Sequence, residues 1–351
     1  MLNLTSIKHL NVRAISPLYI IRVISIFIFT LLFSIQSYSQ SKIKDYFPKF
    51  DASIKTKYEY AFETNMSRFS VRNSRMGLSG NITDPITYRV QVELSSEGNF
   101  EVLDLSANIR FFEGFSVTFG QTSVPVFNPY IITPSQMMFA NRAFIGKYFA
   151  STRDIGILAN YKIPNMPVPV SLEMGVFNGY VINRPLWTDR PSFATRVIVG
   201  DMNGLRATAK LYRYPKTAIE DYVIWGADFR YAQERYKIEA EVMNRHNKFD
   251  EVDRFSLYLQ GGYSFPLNSN TLFKDITPVV RWDAIGEDLS NNKFDANRLT
   301  FGLSFGLTDK PFGSLIRLDY ESYIVKRPIT EFNKYDEMDS DKITLELLII
   351  F

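Results

Sequence analysis

Cysteine is absent from the 351-residue chain. That removes disulfide frameworks, thiol nucleophiles and cysteine-based zinc sites together. Histidine is almost absent, with two residues in all, His9 and His246. A hydrolase of the Ser-His-Asp kind needs a histidine beside its nucleophile. His246, in "NRHNKF" at the end of a strand-like run, reads instead as solvated surface, so no enzyme is expected. Phosphate-cradling glycine loops and nucleotide fingerprints are missing too; "GLSG" and "QGGYSF" are glycines inside strands. The acidic run "DEMDSD", 336–341, reads as a solvated loop rather than a divalent-cation site. Neither metal nor cofactor is expected. A mean hydropathy of −0.10 is too low for a helical membrane protein.

Acidic residues are lacking from the start of the chain. Residues 1–39 carry Lys8, Arg13 and Arg22 and no Asp or Glu. They include the apolar run "VISIFIFTLLFSI", 23–35, followed by Ser37-Tyr38-Ser39. The run is shorter than the roughly 20 residues that span a bilayer. It reads as a secretory signal peptide cut before Gln40, which leaves 40–351 as the mature chain. The three cations account for the excess of 40 basic over 37 acidic residues. The remainder is balanced, so it has no bulk basic field for nucleic acid.

What the chain has in abundance is aromatic and alternating sequence. Twenty Tyr and 29 Phe favour strands. In "FDASIKTKYEYAF", 50–62, Phe50, Ala52, Ile54, Tyr58, Tyr60 and Phe62 share one face, and Asp51, Ser53, Lys55, Lys57 and Glu59 the other. This period of two marks a long half-buried strand. The pattern recurs 16 times, over 49–62, 68–82, 86–95, 102–112, 115–125, 153–163, 168–178, 193–201, 204–213, 221–232, 235–246, 254–265, 275–285, 298–308, 314–326 and 341–351. Between Val71 and Met76 the apolar phase shifts from odd to even positions, which predicts a bulge near Asn73-Ser74. Connections alternate between tight and long, and the longest is 126–152. Long strands, short turns on one rim and long loops on the other predict an all-β, antiparallel up-and-down transmembrane barrel. Closure gives the terminal run "KITLELLIIF", 342–351, a partner in the first strand and satisfies every backbone group that lipid cannot. Phe111, Phe115, Tyr231, Tyr236 and Phe265 stand beside turns, where an aromatic girdle belongs.

The two faces then have meanings. Apolar positions face lipid, and alternate positions face a lumen of mixed charge suited to water and small polar solutes. Inward-phase cations include Arg75, Arg89, Arg110, Arg196, Arg206, Lys210, Arg281, Arg298 and Arg317. Each is a candidate for an anion path, or a salt-bridge partner across the wall. In the long connection, apolar Met137, Met138, Phe139 and Phe144 accompany Asn141, Arg142 and Lys147. The expectation is a loop folded into the pore, its apolar side chains pinned to the wall and Arg142 and Lys147 facing the solute; an outward cap or a subunit-contact loop is the alternative.

Within 68–156, the pieces "RNSRMGLSG" (72–80), "LDLSANIRF" (103–111), "GQTSVPVF" (120–127) and "RDIG" (153–156) stand in an order and spacing that resembles the phosphate-selective porin O/P family of outer-membrane proteins. The terminal Phe351 resembles the assembly signal of such barrels. The resemblance implies a 16-stranded barrel, a homotrimer in the bacterial outer membrane, and passive diffusion of small hydrophilic solutes with anions such as phosphate favoured. Asn73 and Ser74 interrupt the family's basic run at 72–75, so no specific phosphate site is carried over. The competing reading is a barrel component of a secretion or surface-assembly complex, in which the lumen is blocked.

Overall fold

Period-two alternation builds strands, and 16 of them close on each other. The computed structural model describes residues 46–96, 99–128, 133–149, 151–179, 182–267, 271–287, 293–327 and 340–351. The expected signal segment 1–39 lies outside the described residues, as does most of the acidic run 336–341. Two compact units are distinguished, Met1–Phe47 and Pro48–Phe351, and the second holds the whole sheet.

The strands are β1 (Lys49–Ala61), β2 in two pieces (Met66–Val71 and Arg75–Thr83), β3 (Ile86–Ser96), β4 (Asn99–Phe112), β5 (Phe115–Ser123), β6 (Arg153–Ile163), β7 (Val170–Phe177) and β8 (Ser192–Gly200). They continue as β9 (Gly204–Pro215), β10 (Asp221–Gln233), β11 (Tyr236–Asn247), β12 (Val252–Tyr263, resuming at Phe265–Pro266), β13 (Asp275–Glu287), β14 (Ala296–Gly306), β15 (Leu315–Val325) and β16 (Lys342–Ile350). Each pairs antiparallel with the next, and β16 pairs with β1. All expected boundaries fall within about three residues of these.

Closure answers what stabilises an apolar terminus. β16 runs in register from Ala61↔Lys342 to Ser53↔Ile350. Beyond it, Ala52 and Phe351 exchange both backbone hydrogen bonds, at 2.7 and 3.0 Å. The ring of Phe351 lies 6.3 Å from that of Phe50. No edge is left for another chain to pair with, and no ladder group is exposed to acyl chains.

The predicted bulge is present. Ser53 pairs with Arg75 but Thr56 with Val71, so β2 carries one extra residue between the two pairs. Asn73 takes it up in the left-handed region, at φ 59°, a conformation that asparagine tolerates better than most. Without it, Phe69 and Met76 could not both point outward. Gly114 serves the tight β4–β5 turn: its φ is +81°, and a Cβ there would stand 2.3 Å from the Lys162 carbonyl.

The barrel is inside-out relative to a soluble protein. Ile54, Phe301 and Leu345 are 43%, 51% and 47% exposed on the outer face, whereas Lys55, Arg317 and Glu346 on the inner face are buried. The girdle expected at the short-turn rim is built from ring contacts: Phe112–Phe115 at 5.0 Å, Tyr231–Tyr236 at 5.5 Å and Tyr263–Phe265 at 4.6 Å. A charge on this outer face is costly in lipid. Phe301→Arg is expected to lower folding stability by about 2–4 kcal/mol in vesicles. Urea-induced unfolding in bilayers measures this, and an unchanged midpoint would place Phe301 away from the acyl chains.

Candidate solute pathway and its constriction loop

The β5–β6 connection turns into the barrel. Among its described residues it contains a 3-10 turn at Pro134–Gln136 and a short helix, α1 (Phe144–Tyr148). A segment without a ladder carries backbone donors and acceptors that must find partners once buried. Here the charged inner wall supplies them. Arg196 donates to the Phe127 carbonyl at 3.2 Å, Arg317 to Met137 at 3.0 Å, Lys55 to Ala140 at 2.6 Å, Arg281 to Asn141 at 2.9 Å and Arg298 to Arg142 at 2.7 Å. Arg245 holds the carbonyls of Tyr148 and Phe149 at 2.9 and 3.0 Å. In the other direction, Ala140 donates its N–H to Asp319 at 2.7 Å and Phe144 to Asp283 at 3.0 Å. Lys57 reaches the Asn141 side chain at 2.6 Å.

These cations are buried, so they need counter-charges as well. Arg298 bonds Asp283 at 2.7 Å and Glu321 at 3.2 Å. Lys55 and Arg317 share Glu346, at 3.0 and 2.7 Å. Lumenal acids nearly matching lumenal bases is the composition that such a clamp requires.

Apolar contacts of Met138, Phe139 and Phe144 accompany these bonds. Met138 and Phe139 pack with Val279. The Arg281 guanidinium lies over the Phe139 ring at 4.5 Å. Gly302 makes the dimple for it: a Cβ there would come within 3.4 Å of the ring and 2.5 Å of the Asp319 carboxylate. Further along, Phe127, Phe144, Ile145, Tyr148 and Phe149 join Tyr212, Tyr214, Tyr222, Met243 and Tyr258 in a buried cluster. This departs from the uniformly wet lumen of the sequence expectation. Toward the long-loop ends of β7 to β14 the interior is apolar, because the loop brings its own core with it.

The candidate anion-path residues therefore fall into different settings. Arg281, Arg298 and Arg317 lie beneath the loop. Arg206 and Lys210 are buried around Asp228, at 3.9 and 2.9 Å, and Lys210 also meets Glu241. Arg196 pairs with Glu173 at 2.6 Å. Arg75 pairs with Glu93 at 3.2 Å. Arg89 folds across Gly77, where a Cβ would collide with its guanidinium, and binds Asp51. Arg110 is exposed at the short-turn rim and donates to the Asp84 carbonyl at 3.3 Å. His246 stands near Glu251 and Asp253, both at 3.3 Å.

Arg142 and Lys147 are half-buried on the loop. Burial lowers the Arg142 pKa; Glu93 opposes the shift, and Arg153 and Arg72 reinforce it. Arg75 feels the charge of Arg142 as well. Arg142 thus lies within electrostatic reach of Glu93, Arg72, Arg75 and Arg153 on the β2, β3 and β6 side. Burial likewise holds Lys147 well below the usual lysine range, with Lys342, Lys57 and Arg298 adding to the effect and Glu321 opposing it. Sequence reasoning left several members of this arrangement without a role. Lys55, Lys57 and Glu59 were visible on the inward face of β1, and Arg153 opens β6 with a 2.8 Å pair to Asp104. Arg245 and Glu346 carried an inward phase and nothing more specific.

Asp283 serves Arg298 and a loop N–H at once, so its removal takes one of two carboxylates from buried Arg298 and leaves the Phe144 N–H without its acceptor. Asp283→Ala is expected to cost about 3–5 kcal/mol and to free the loop, seen as faster proteolytic nicking between residues 133 and 149. A loop equally resistant in the variant would contradict the clamp.

Comparisons with known proteins agree with this architecture. No curated protein sequence matches the chain. The OmpF structure of Salmonella typhi in complex with daunomycin is similar at a TM-score of 0.64 and 12% identity, covering 89% of this chain and 99% of that one. The in-vitro folded OmpT of Vibrio cholerae, in its trimer form, gives 0.59 and 10% identity over 87% and 99%. An anion-selective porin from Comamonas acidovorans gives 0.57 and 11% over 87% and 99%. At such identities the likeness is one of fold. The family model described as phosphate-selective porin O and P matches residues 50–178. The stretch from β1 through β7, with the inner loop it encloses, is thus the part of the barrel that carries the pattern of that porin family.

Proposed function

We propose that the protein is an outer-membrane porin, a passive channel for small hydrophilic solutes that favours anions. The supporting observation is the loop held inside the barrel, with Arg142 within electrostatic reach of Arg72, Arg75 and Arg153 as well as of Glu93. Arg75 is paired with Glu93 at 3.2 Å and Arg153 with Asp104 at 2.8 Å; with Glu101 also acting on both, the four arginines exceed these acids by one charge, which an anion entering the gap would meet. The gap between loop and wall focuses the field, so the barrier for anions falls while that for cations rises. Phosphate is one such anion. The same reading takes the chain to be non-catalytic and to work as a homotrimer after its signal segment is removed.

A second reading has one observation in its favour. The aromatic cluster around Tyr148, Phe149, Tyr212 and Tyr258 fills part of the lumen, as a barrel serving a secretion or surface-assembly complex would allow. Liposome swelling with sugars and phosphate separates the two, since a blocked barrel gives none.

Within the channel reading, Arg142→Ala is expected to shift the reversal potential in a salt gradient toward cations. An unchanged potential would remove Arg142 from the solute path. Lys147 adds a pH test. Its pKa is lowered in the folded protein, so its charge is lost at a lower pH than in a free lysine, which titrates near ~10.4. Anion preference is expected to fall as the pH rises through a range below that in which free lysine titrates, and Lys147→Met to flatten that dependence. A wild-type preference constant up to the pH of free lysine would contradict the assignment.

A further inference from the structure

A cavity of about 630 Å³ opens at the short-turn rim. The turns after β8 and β10, the turn between β14 and β15, and Gln136 at the low point of the inner loop enclose it. This is the rim that faces the periplasm in barrels with short turns on one side.

Two kinds of surface meet there. One is basic, with Arg230, Lys237 and Lys310 against one lining acid, Glu234. Arg230 is fixed by Glu239 at 3.0 Å and by the Met202 carbonyl at 2.6 Å. Lys310 is exposed on its turn. The other surface is apolar, formed by Phe312 and Ile350. Phe312 sits at φ 57° in the β14–β15 turn. Its side chain packs against Met138, Phe139 and Val279. Lys237 Nζ stands 4.0 Å from the ring centroid. An aromatic face and an ammonium group are thus already held side by side, in a space within the range of small-molecule sites.

An inorganic anion would use only the basic surface. A ligand carrying one negative group on a flat or short apolar body would use both. We propose that this vestibule binds small organic anions, phosphate monoesters or carboxylates with an aromatic or short aliphatic body. The charged group lies between Lys237 and Lys310, and the body lies against Phe312. The inference rests on the channel reading and narrows its solute class from anions in general to organic anions.

Two measurements separate this inference from that reading. Titration calorimetry in detergent compares phenyl phosphate with inorganic phosphate on the whole protein. Phenyl phosphate is expected to bind at least ten-fold more tightly, and Lys310→Gln and Lys237→Gln each to weaken it several-fold with heat-modifiable mobility on gels unchanged. Lys310 is exposed on a turn, so its variant keeps the fold. In planar bilayers, phenyl phosphate added on the short-turn side is expected to block current at lower concentration than from the other side. Equal affinity for the two probes, or variants that bind phenyl phosphate like wild type, would overturn the inference while leaving an open channel standing. Preferential binding without any conductance would overturn the channel reading and leave the vestibule.

Discussion

The structure depends on closure of the backbone ladder. Once β16 pairs with β1, every strand has two neighbours and no ladder group must be satisfied by solvent. The outer face can then be wholly apolar without instability. The inner face is released from the usual demand for a hydrophobic core and can carry Arg, Lys, Asp and Glu at alternate positions. A soluble β-sandwich cannot do this, because its two inner faces must exclude water from each other.

The released inner face has work of its own. A long loop drawn into a barrel would bury unsatisfied carbonyls and amides, at a cost of several kcal/mol if left unpaired. Wall charges meet that cost here, with cations on loop carbonyls and carboxylates on loop amides. The charges also neutralise one another, as in the Asp283–Arg298–Glu321 and Lys55–Glu346–Arg317 groups. One set of side chains therefore does two jobs: it anchors the inner loop and balances charge across the inner face. On the channel reading, the field that a solute meets comes from the small excess of cations along the loop and the β2, β3 and β6 side, Arg142 among them.

Much of this was legible in the sequence, and the limits have a physical form. Period two says which face a residue occupies, so the lipid side, the strand count and the β16–β1 closure were readable from "FDASIKTKYEYAF" and "KITLELLIIF". The phase change between Val71 and Met76 disclosed the bulge for the same reason. Period two says nothing about what lies opposite. Arg89 and Arg298 have the same inward phase, yet one reaches Asp51 on its own wall and the other lies under the loop. The Gly302 dimple, the aromatic cluster inside the lumen and the inward β14–β15 turn arise where strands far apart in sequence meet the loop. No local pattern encodes such meetings.

The central claim is that the 133–149 segment lies against the inner wall at β1, β13, β14 and β15. The cysteine-free chain makes it directly testable. Cysteines placed singly and together at Lys57 and Asn141, whose side chains are hydrogen-bonded at 2.6 Å, can be treated in vesicles with a short bifunctional thiol reagent. Rapid intramolecular crosslinking of the double variant, with single variants merely labelled, is the predicted result. Two freely labelled thiols that never join would show that the loop lies elsewhere and contradict the account.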